Sequence, residues 1–424
     1  MVPSRLRKMT NRIDDHQGTF PARSFVGSPD PALLKTPLGK IFLKPSLDFL
    51  LRHWLFPYLR HAKLPFYVLI DRIHHPGMAN LHFVHRRPND NKEFSMAHTT
   101  ETAAMSVNAP ARLHLGFLDL NGELGRTYGS IGLAIDRPST RIIVHKATRD
   151  AARGPESDRA LQVIANLRER LGLPGAYDIT IERAIPAHAG LGSGTQLALA
   201  VATAALRLSG IARPLDLIGT LTNRGQRSAI GIAAFDHGGF IVDGGKGQSD
   251  APPPILIQTP MPESWRILLI LDPKCTGVHG DRETRAFAAL PPMGRNTAAH
   301  LSHLVLMQAA PALMEHDIRA FGHAITEIQA LVGHHFAPTQ NGSAWSDPKV
   351  GELAKKMEAK GAVGIGQSSW GPTGFAFVPS QKDADALYHS IVQDAKAQGL
   401  ELMIVAGRNT GASLELLTTA ETGQ

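Results

Sequence analysis

Apolar and polar residues follow regular patterns from Ser106 onwards. Alternation with a period of two predicts strands in the segments SVNAPARLHLGF, IGLAIDRP, TRIIVHKA, GGFIVDGG and WRILLILDP. Helical spacing predicts a helix over 157–171 and a long, almost wholly apolar helix in TQLALAVATAALRLSG, which ends at Gly210. Between these helices the predicted strand YDITIERAIP runs into a glycine-rich loop.

The C-terminal half has a different order of elements. Residues 297–332 are predicted to be helical, with breaks near Pro311 and His316–Asp317, and about ninety residues at the end predict helix, strand, helix and strand in turn. The proline-rich segment 251–265 (APPPILIQTPMPESW) is the best candidate for a domain junction. We therefore expect one domain over 106–255 and a second over 262–415.

The first 95 residues differ from the rest of the chain. They hold 15 of the 44 Lys and Arg but only 7 of the 37 Asp and Glu, so the remaining residues carry a net charge of −1. Prolines and irregularly spaced apolar residues give no sustained period. Three hypotheses stay open: translated upstream sequence with the start at Met96 or Met105, a poorly ordered extension or targeting arm, or a functional domain.

The composition indicates an ordinary soluble globular protein, with 43% hydrophobic and 19% charged residues. One cysteine, Cys275, excludes a disulfide framework and a cysteine-based zinc site, and a reducing cytoplasm is the expected location. No apolar run reaches the roughly 18 residues that a membrane span needs, and no secretory signal is recognised. Because the body of the chain is neutral, the basic charge of the whole chain indicates nothing about its partners. We expect small-molecule substrates as partners and neither nucleic acid nor membrane.

The segment PAHAGLGSGTQLALA (186–200) carries the candidate chemistry. Backbone N–H groups of a glycine loop that leads into a helix form an anion site, and glycine lets a phosphate approach the backbone closely. Ser193 and Thr195 add hydroxyl groups. The loop has neither the Lys-Ser/Thr of a Walker loop nor the Gly-x-Gly-x-x-Gly order of a dinucleotide site. A phosphate cradle is favoured, and a glycine-rich packing turn is the alternative.

Three segments, in this order, resemble motifs of the superfamily of galactokinase, homoserine kinase, mevalonate kinase and phosphomevalonate kinase (GHMP). APARLHLGF (109–117) resembles its N-terminal strand motif, PAHAGLGSGTQLALA its central motif, and GQSSWGPTGFAF (366–377) its C-terminal glycine turn. The resemblance implies an α+β fold of two domains: an N-terminal S5-like α/β domain and a C-terminal ferredoxin-like α+β domain. The phosphate site would lie in the cleft between them.

The chain departs from the kinases of this superfamily at two positions. Gly231, in SAIGIAAFD, stands where the kinases have an aspartate that serves as a base or as a carboxylate beside magnesium. Losing it matters because phosphoryl transfer depends on positioning and charge neutralisation. Gly194 stands where the kinases usually have a second serine. An ATP-dependent small-molecule kinase therefore stays an alternative, as does a non-catalytic relative that binds metabolites.

Five segments together resemble one branch, the β-ribofuranosylaminobenzene 5′-phosphate synthases of tetrahydromethanopterin biosynthesis: ARLHLGFLDLNGELGRTYGSIGLAID, GLGSGTQLALA, SAIGIAAFDHGGFIVDGG, GVHGDRE and SSWGPTG. The likeness covers about 106–415. It implies a pentosyltransferase that joins phosphoribosyl pyrophosphate to 4-aminobenzoate or 4-hydroxybenzoate through a C–C bond and releases CO2 and pyrophosphate. In a bacterium this reaction would serve C1 transfer in methylotrophy. Mg²⁺ with the pyrophosphate, no organic cofactor and a homodimer are also implied.

The implied reaction suggests roles for side chains near these motifs. Arginines bind phosphate bidentately, turn aspartates reach magnesium or ribose hydroxyls, and a tryptophan stacks on an aromatic acid. The expected binding residues are Arg112, Arg126, His188, Gly190, Gly192, Ser193, Gly194, Thr195, Arg224, Asp236, Asp243, Ser368, Ser369 and Trp370. The expected catalytic residues are His114, Asp119, Arg227, His279 and Glu283, and no metal ligands are assigned. For each side chain, an ordinary surface, turn or core position is the alternative.

The first 95 residues are predicted to be dispensable, because their charge excess and irregular pattern end where the resemblance to known enzymes begins. A chain that starts at Met96 or Met105 should be soluble and as active as the full chain, measured by gel filtration and steady-state kinetics. Loss of folding or activity in both truncated chains would contradict the prediction.

Overall fold

The computed structural model describes residues 68–71, 80–83, 103–277 and 280–417, with the backbone alone at 68–71, 80–83 and 281–284. The chain divides into two units, residues 1–97 and 98–424. In the first unit, β1 (Val68–Asp71) and β2 (Asn80–Phe83) pair antiparallel. These two strands were not predicted, and the rest of the prediction for 1–95 lies outside the described residues.

The second unit contains two sheets and the helices that cover them. Its strands are β3 (Ala104–Asp119), β4 (Tyr128–Ala147), β5 (Ala151–Arg153), β6 (Ala176–Arg183), β7 (Phe240–Asp243), β8 (Ile255–Thr259), β9 (Arg266–Leu271), β10 (Val363–Gln367), β11 (Gly374–Val378), β12 (Glu401–Val405) and β13 (Ser413–Leu417). Its α-helices are α1 (Ser157–Leu171), α2 (Ser193–Leu208), α3 (Leu215–Leu221), α4 (Ile230–Asp236), α5 (Gly280–Ala289), α6 (Arg295–Leu304), α7 (Ala310–Met314), α8 (Ile318–Phe336), α9 (Pro348–Ala359) and α10 (Gln381–Ala397). One π-helical turn, Val305–Ala309, joins α6 to α7.

The first sheet has seven strands in the order β13-β3-β4-β6-β5, with β7 added on β4 and β8 on β7. All pairs are antiparallel except β5 with β6. The segments IGLAIDRP and TRIIVHKA, predicted as two strands, form the single long strand β4. It pairs with β3 along almost its whole length, with a register shift at Pro110/Ala111.

Helix α2 is the central helix of this layer. Every residue from Gln196 to Leu206 is buried, so the helix is enclosed by protein all round. One side packs on β3, β4 and α1 through a cluster that includes Val107, Val144 and Val163. None of the described helices is long and apolar enough to cross a membrane.

The second sheet is antiparallel in the order β10-β11-β9-β12. Helices α9 and α10 cover one face, where Leu268 and Ile270 meet Leu353 and Leu387. The other face joins the first sheet and α6–α8 in one shared core. This arrangement confirms the predicted α+β fold of two domains.

Five elements illustrate where the structure differs from the sequence prediction. The proline-rich junction contains strand β8, and β10, α3 and α4 were not predicted because each is short and rich in glycine or bounded by it. Residues 413–415 were expected at the end of a second domain, 262–415, and no strand was predicted there. They begin strand β13, which pairs with β3 of the first sheet, Leu414 opposite Val107.

Candidate functional site

The glycine loop joins β6 to α2 at the centre of the unit. Gly190 and Gly192 have φ of +79° and +83°, in the left-handed region that glycine adopts at no steric cost. Helix α2 begins at Ser193, and no side chain caps its first turn. The N–H groups of Thr195 and Gln196 donate to the Gly192 carbonyl. The positive end of the helix dipole and the N–H groups before Thr195 are therefore left to meet an anion.

The turn between β10 and β11 holds this loop from the other sheet. The Ser368 hydroxyl donates to the Gly190 carbonyl at 2.7 Å, and the Thr373 hydroxyl donates to the Ala189 carbonyl at 2.7 Å. The two segments are so close that a Cβ on Gly190 would lie 2.3 Å from the Ser368 carbonyl oxygen. Two of the motifs singled out in the sequence thus form one structure.

A cavity of about 450 Å³ opens in front of the loop, and we call it the loop cavity. Polar side chains, glycines and one tryptophan form much of its lining. These residues include Arg112, Arg159, Gln162, Asn166, His188, Gly190, Gly192, Ser193, Gly194, Thr195, Thr222, Arg224, Ser369, Trp370 and Gly371.

Three arginines reach the loop cavity from three elements. Arg112, on β3, donates from Nη1 to the Gly190 carbonyl. Arg224 follows α3, is mostly buried, and its Nε has no hydrogen-bond partner in the described part of the chain. Arg159 comes from α1. The cavity is therefore cationic on several sides.

Sequence reasoning missed Arg159. Its guanidinium lies 2.9 Å from a Glu156 carboxylate oxygen and 3.1 Å from Nε2 of His188. Because a guanidinium only donates, Nε2 of His188 accepts, and a neutral ring then carries its proton on Nδ1. Gln162 and Asn166 extend the same face of α1. Polar residues at this spacing are equally typical of a solvent-exposed helix face, so the sequence alone did not distinguish Arg159.

His114 is buried between the two sheets, with 4% of its surface exposed. It leaves the same face of β3 as Arg112, and neither ring nitrogen has a partner in the described part of the chain. Burial, with the nearby charges of Arg112 and Arg227, lowers the pKa of this imidazole to about 3. An imidazole with this pKa is neutral at physiological pH.

Aromatic side chains separate the loop cavity from a second pocket of about 380 Å³. Trp370 lines the loop cavity and stacks on Phe287, with ring centroids 4.5 Å apart and planes at 15°. Phe287 in turn lines the second pocket, which we call the aromatic pocket. The other lining residues include Leu120, Asn121, Thr127, Tyr128, Arg227, Leu290, Pro291, Pro292 and His335.

Arg227 belongs to this second pocket. It was expected to be a catalytic residue near the phosphates, but it is not among the described residues that line the loop cavity. Its guanidinium lies over the Phe287 ring, 4.8 Å from the centroid. Burial beside the pocket lowers the pKa of the His335 imidazole below its ordinary value. Trp370 is 4% exposed and packs on Phe287 and Phe336, so its ring acts as a wall.

Two predicted aspartates have structural surroundings. Asp243 is fully buried, and its oxygens accept from the N–H groups of Ser130, Ala229 and Gly245 and from the Ser228 hydroxyl. Burial raises the pKa of its carboxyl. It therefore holds the turn after β7 instead of facing substrate.

Asp236 pairs with His237 at 2.9 Å and lines a different cavity, at the far end of α2. The sequence did not show at which end of α2 the Asp236 side chain would lie. It therefore does not join the loop cavity.

Asp119 and Arg126 are not among the described residues that line the loop cavity, and each precedes a residue that lines the aromatic pocket, Leu120 and Thr127. Asp119 accepts from the N–H groups of Asn121 and Gly122, which shapes the turn at its rim. Arg126 donates to the carbonyls of Gly244 and Gly245 at 2.6 Å. His279 lies outside the described residues, and of Glu283 only its backbone position in α5 is described.

Gly231 packs against the glycine loop helix, at the position where the kinases carry an aspartate. A Cβ there would lie 2.9 Å from Cγ2 of Thr195, and its carbonyl accepts from the Gln196 side chain. A side chain at this position would have to displace Thr195.

Mg²⁺ needs oxygen ligands. Ser193 and Thr195 place hydroxyls beside the loop, and no described carboxylate lines the loop cavity. Within the part of the chain that the structure describes, no three His, Cys, Asp or Glu side chains are grouped to hold a metal. This donor set fits an ion carried mainly by substrate oxygens.

Family models match two parts of the chain: the GHMP kinases N terminal domain over residues 158–239 and the GHMP kinases C terminal over 309–397. Beta-ribofuranosylphenol 5′-phosphate synthase from Methanothermobacter thermautotrophicus is 31% identical over 329 residues, 72% of this chain and 97% of that protein. The synthase of the same name from Archaeoglobus fulgidus is 31% identical over 74% of this chain and 100% of its own length.

Solved structures with the same fold are more distant in sequence. Mevalonate diphosphate decarboxylase from Staphylococcus aureus has a TM-score of 0.53 at 17% identity, covering 74% of this chain and 98% of its own. Homoserine kinase from Cytophaga hutchinsonii has a TM-score of 0.50 at 18% identity, covering 74% and 97%. These likenesses concern the fold.

Gly194→Val should weaken the binding of phosphoribosyl pyrophosphate tenfold or more while the protein stays folded. The added Cβ would lie 3.5 Å from the Arg224 guanidinium, an ordinary contact, but the larger side chain fills space at the start of α2. Ser193→Ala should be milder, since it removes one hydrogen bond to a charged group, about 1.5–3 kcal/mol. Calorimetric titration measures both.

Gly190→Ala is the comparison variant, because its Cβ would collide with the Ser368 backbone and unfold the loop. Circular dichroism distinguishes a variant that has lost its fold from one that is folded but binds more weakly. Wild-type affinity in a folded Gly194→Val protein would mean that the loop is only a packing turn.

His114→Asn should reduce the loss of stability in acid. The imidazole pKa falls from 6.5 to about 3 on folding, so between these values the unfolded chain binds the proton and the folded chain does not. Stability therefore decreases as pH falls from 6.5, by about 2.5 kcal/mol between pH 7 and pH 4.5 from this group alone. Urea unfolding at both pH values should show the variant losing that much less than wild type.

The exposed His316→Asn is the control and should change the pH dependence far less. Equal acid sensitivity of wild type and His114→Asn would contradict the burial of a neutral imidazole.

Proposed function

The chain belongs to the family of beta-ribofuranosylphenol 5′-phosphate synthases, and from this we propose that it is a pentosyltransferase that condenses phosphoribosyl pyrophosphate with 4-hydroxybenzoate or 4-aminobenzoate. The products would be a C-glycoside, CO2 and pyrophosphate. The setting that we propose is tetrahydromethanopterin biosynthesis.

One observation carries the proposal: a cationic cavity and an aromatic pocket lie on the two sides of a single pair of stacked rings, Phe287 and Trp370. A donor with phosphates and an acceptor with a benzene ring need these two environments side by side. A ribose that extends from the loop cavity would meet the ring near the edge of this stack.

The proposed reaction balances without an added acid or base. The ring carbon that bears the carboxylate attacks C1 of the ribose as the bond from C1 to the pyrophosphate oxygen breaks, and its electron pair leaves with the pyrophosphate. The C–C bond to the carboxylate then breaks, and that electron pair restores the aromatic ring as CO2 departs.

The charges of the site suit this sequence of steps. Arg112, Arg159 and Arg224 would neutralise the negative charge that develops on the leaving group. The carbon at C1 becomes positive in the transition state. Because burial keeps His114 neutral, that residue adds no repelling charge near the forming cation.

Arg227 is proposed to orient the aromatic acid. It is the arginine of the aromatic pocket and lies over the Phe287 ring. A planar guanidinium holds a carboxylate bidentately, which would fix the ring with its reacting carbon toward the loop cavity. Because Trp370 and Arg227 cover the two faces of Phe287, the Tyr128 ring and the edge of the Phe287 ring would contact the apolar part of the acid.

The name of the relatives favours one acceptor. A ribofuranosylphenol carries a hydroxyl on its ring, which corresponds to 4-hydroxybenzoate as the acid consumed. We therefore rank 4-hydroxybenzoate before 4-aminobenzoate, and competition between the two acids measures the preference.

The proposal is tested by incubating the protein with phosphoribosyl pyrophosphate, Mg²⁺ and either acid labelled in its carboxyl group. Release of labelled CO2 with an equal amount of pyrophosphate is the expected result. ADP formed from ATP with a sugar or alcohol, without CO2, would establish a kinase instead. No turnover in either assay would indicate a non-catalytic relative.

Arg227→Gln should raise KM for the aromatic acid about ten- to a hundredfold, the cost of losing a hydrogen bond to a charged group. KM for phosphoribosyl pyrophosphate should change much less, because Arg227 is outside the loop cavity lining. Arg319→Gln, an exposed arginine on α8, is the matched control. If only the KM for phosphoribosyl pyrophosphate changed, Arg227 would contact the phosphates and not the aromatic acid.

A further inference from the structure

Two arginines of the loop cavity, Arg159 and Arg224, are near enough for the charge of one to affect the other. They line the cavity together with the uncapped start of α2. Among the described side chains, the Glu156 carboxylate pairs with Arg159. A group that binds between these two arginines and the helix start is therefore favoured if it carries several negative charges.

The surroundings of Arg224 are unfavourable for its positive charge. Its guanidinium is mostly withdrawn from solvent, its Nε has no hydrogen-bond partner in the described region, and it lies against Gly194 at the start of α2. Burial and the positive charge of Arg159 both lower the pKa of this guanidinium. A cation in this position is unfavourable until an anion reaches both arginines.

Arg159 is already positioned for such an anion. Glu156 and His188 hold its two terminal nitrogens at 2.9 and 3.1 Å, so little side-chain freedom remains to be lost on binding. Arg224 enters from the segment after α3, where its N–H donates to the Gly219 carbonyl at 2.7 Å. The two guanidinium groups thus approach the cavity from separate elements.

The geometry points to the pyrophosphate end of the donor, and not its 5′-monophosphate, as the group bound in the loop cavity by Arg159 and Arg224. This inference rests on the proposed function for the identity of the donor. A phosphate monoester carries about −1.5 to −2 charges and three acceptor oxygens. A diphosphate adds a second phosphate group, with further charge and further oxygens, and so can meet both arginines and the helix start together.

The orientation has a chemical consequence. When the bond from C1 to the diphosphate oxygen breaks, the new charge appears on the group that the arginines hold. Their attraction to that group is then greater in the transition state than in the ground state, which lowers the barrier. Bound the other way round, the arginines would hold a phosphate whose charge does not change during the reaction.

Calorimetric titration with inorganic pyrophosphate and with ribose 5-phosphate, each with and without Mg²⁺, tests the orientation without turnover. The proteins are wild type, Arg224→Gln, Arg159→Gln and the control Arg319→Gln. Both cavity variants should bind pyrophosphate at least about tenfold more weakly, while their affinity for ribose 5-phosphate changes less than about threefold. In wild type saturated with pyrophosphate, ribose 5-phosphate should still bind.

Equal or greater weakening of ribose 5-phosphate would overturn the inference, as would competition between the two ligands or failure of wild type to bind pyrophosphate at millimolar concentration. Circular dichroism confirms folding, and Arg159→Gln, on the surface of α1, serves if Arg224→Gln does not fold. Pyrophosphate binding that depends on the arginines, without CO2 release in the labelled assay, would leave this inference standing and refute the proposed function.

Discussion

Two hydroxyl groups determine the geometry on which the site depends. Ser368 and Thr373, from the turn after β10, donate to the carbonyls of Gly190 and Ala189. These bonds turn the carbonyls of the glycine loop toward the second sheet and leave the first N–H groups of α2 on the cavity side. The site is therefore a joint product of both sheets. Neither motif alone would present an anion site of this shape.

Strand β3 carries a charged side chain, Arg112, and a neutral one, His114, into different surroundings. Arg112 and His114 leave the same face of β3, but the first reaches a polar cavity and the second is enclosed by protein. The arginines oppose protonation of the imidazole, so a cationic wall and a neutral histidine coexist at short range. A reaction that forms a positive carbon beside a leaving anion needs this separation.

The spacing of apolar residues along the chain predicted the helices whose formation depends mainly on nearby residues. The helix predicted at 157–171 agrees with α1, and the apolar run after the glycine loop agrees with α2. Both segments are long and their apolar residues recur at helical spacing, which favours a helix over a strand. The sequence did not show where a side chain lies relative to residues that are distant along the chain. Asp236 and Asp243 both sit beside glycines, yet one is exposed at the far end of α2 and the other holds four groups in the core. Arg159 was missed because an arginine on a helix surface has the same local pattern whether it faces solvent or a cavity.

The pairing of β13 with β3 has a consequence for synthesis of the protein. Ser413 lies opposite Asn108, so one edge of the first sheet is completed by residues that leave the ribosome after nearly all of the second unit. Until then β3 exposes an unpaired edge, which is the part of a sheet most prone to pair with another chain. Nascent chains would thus depend on the second sheet folding quickly, or on a chaperone that covers that edge, before the last strand arrives.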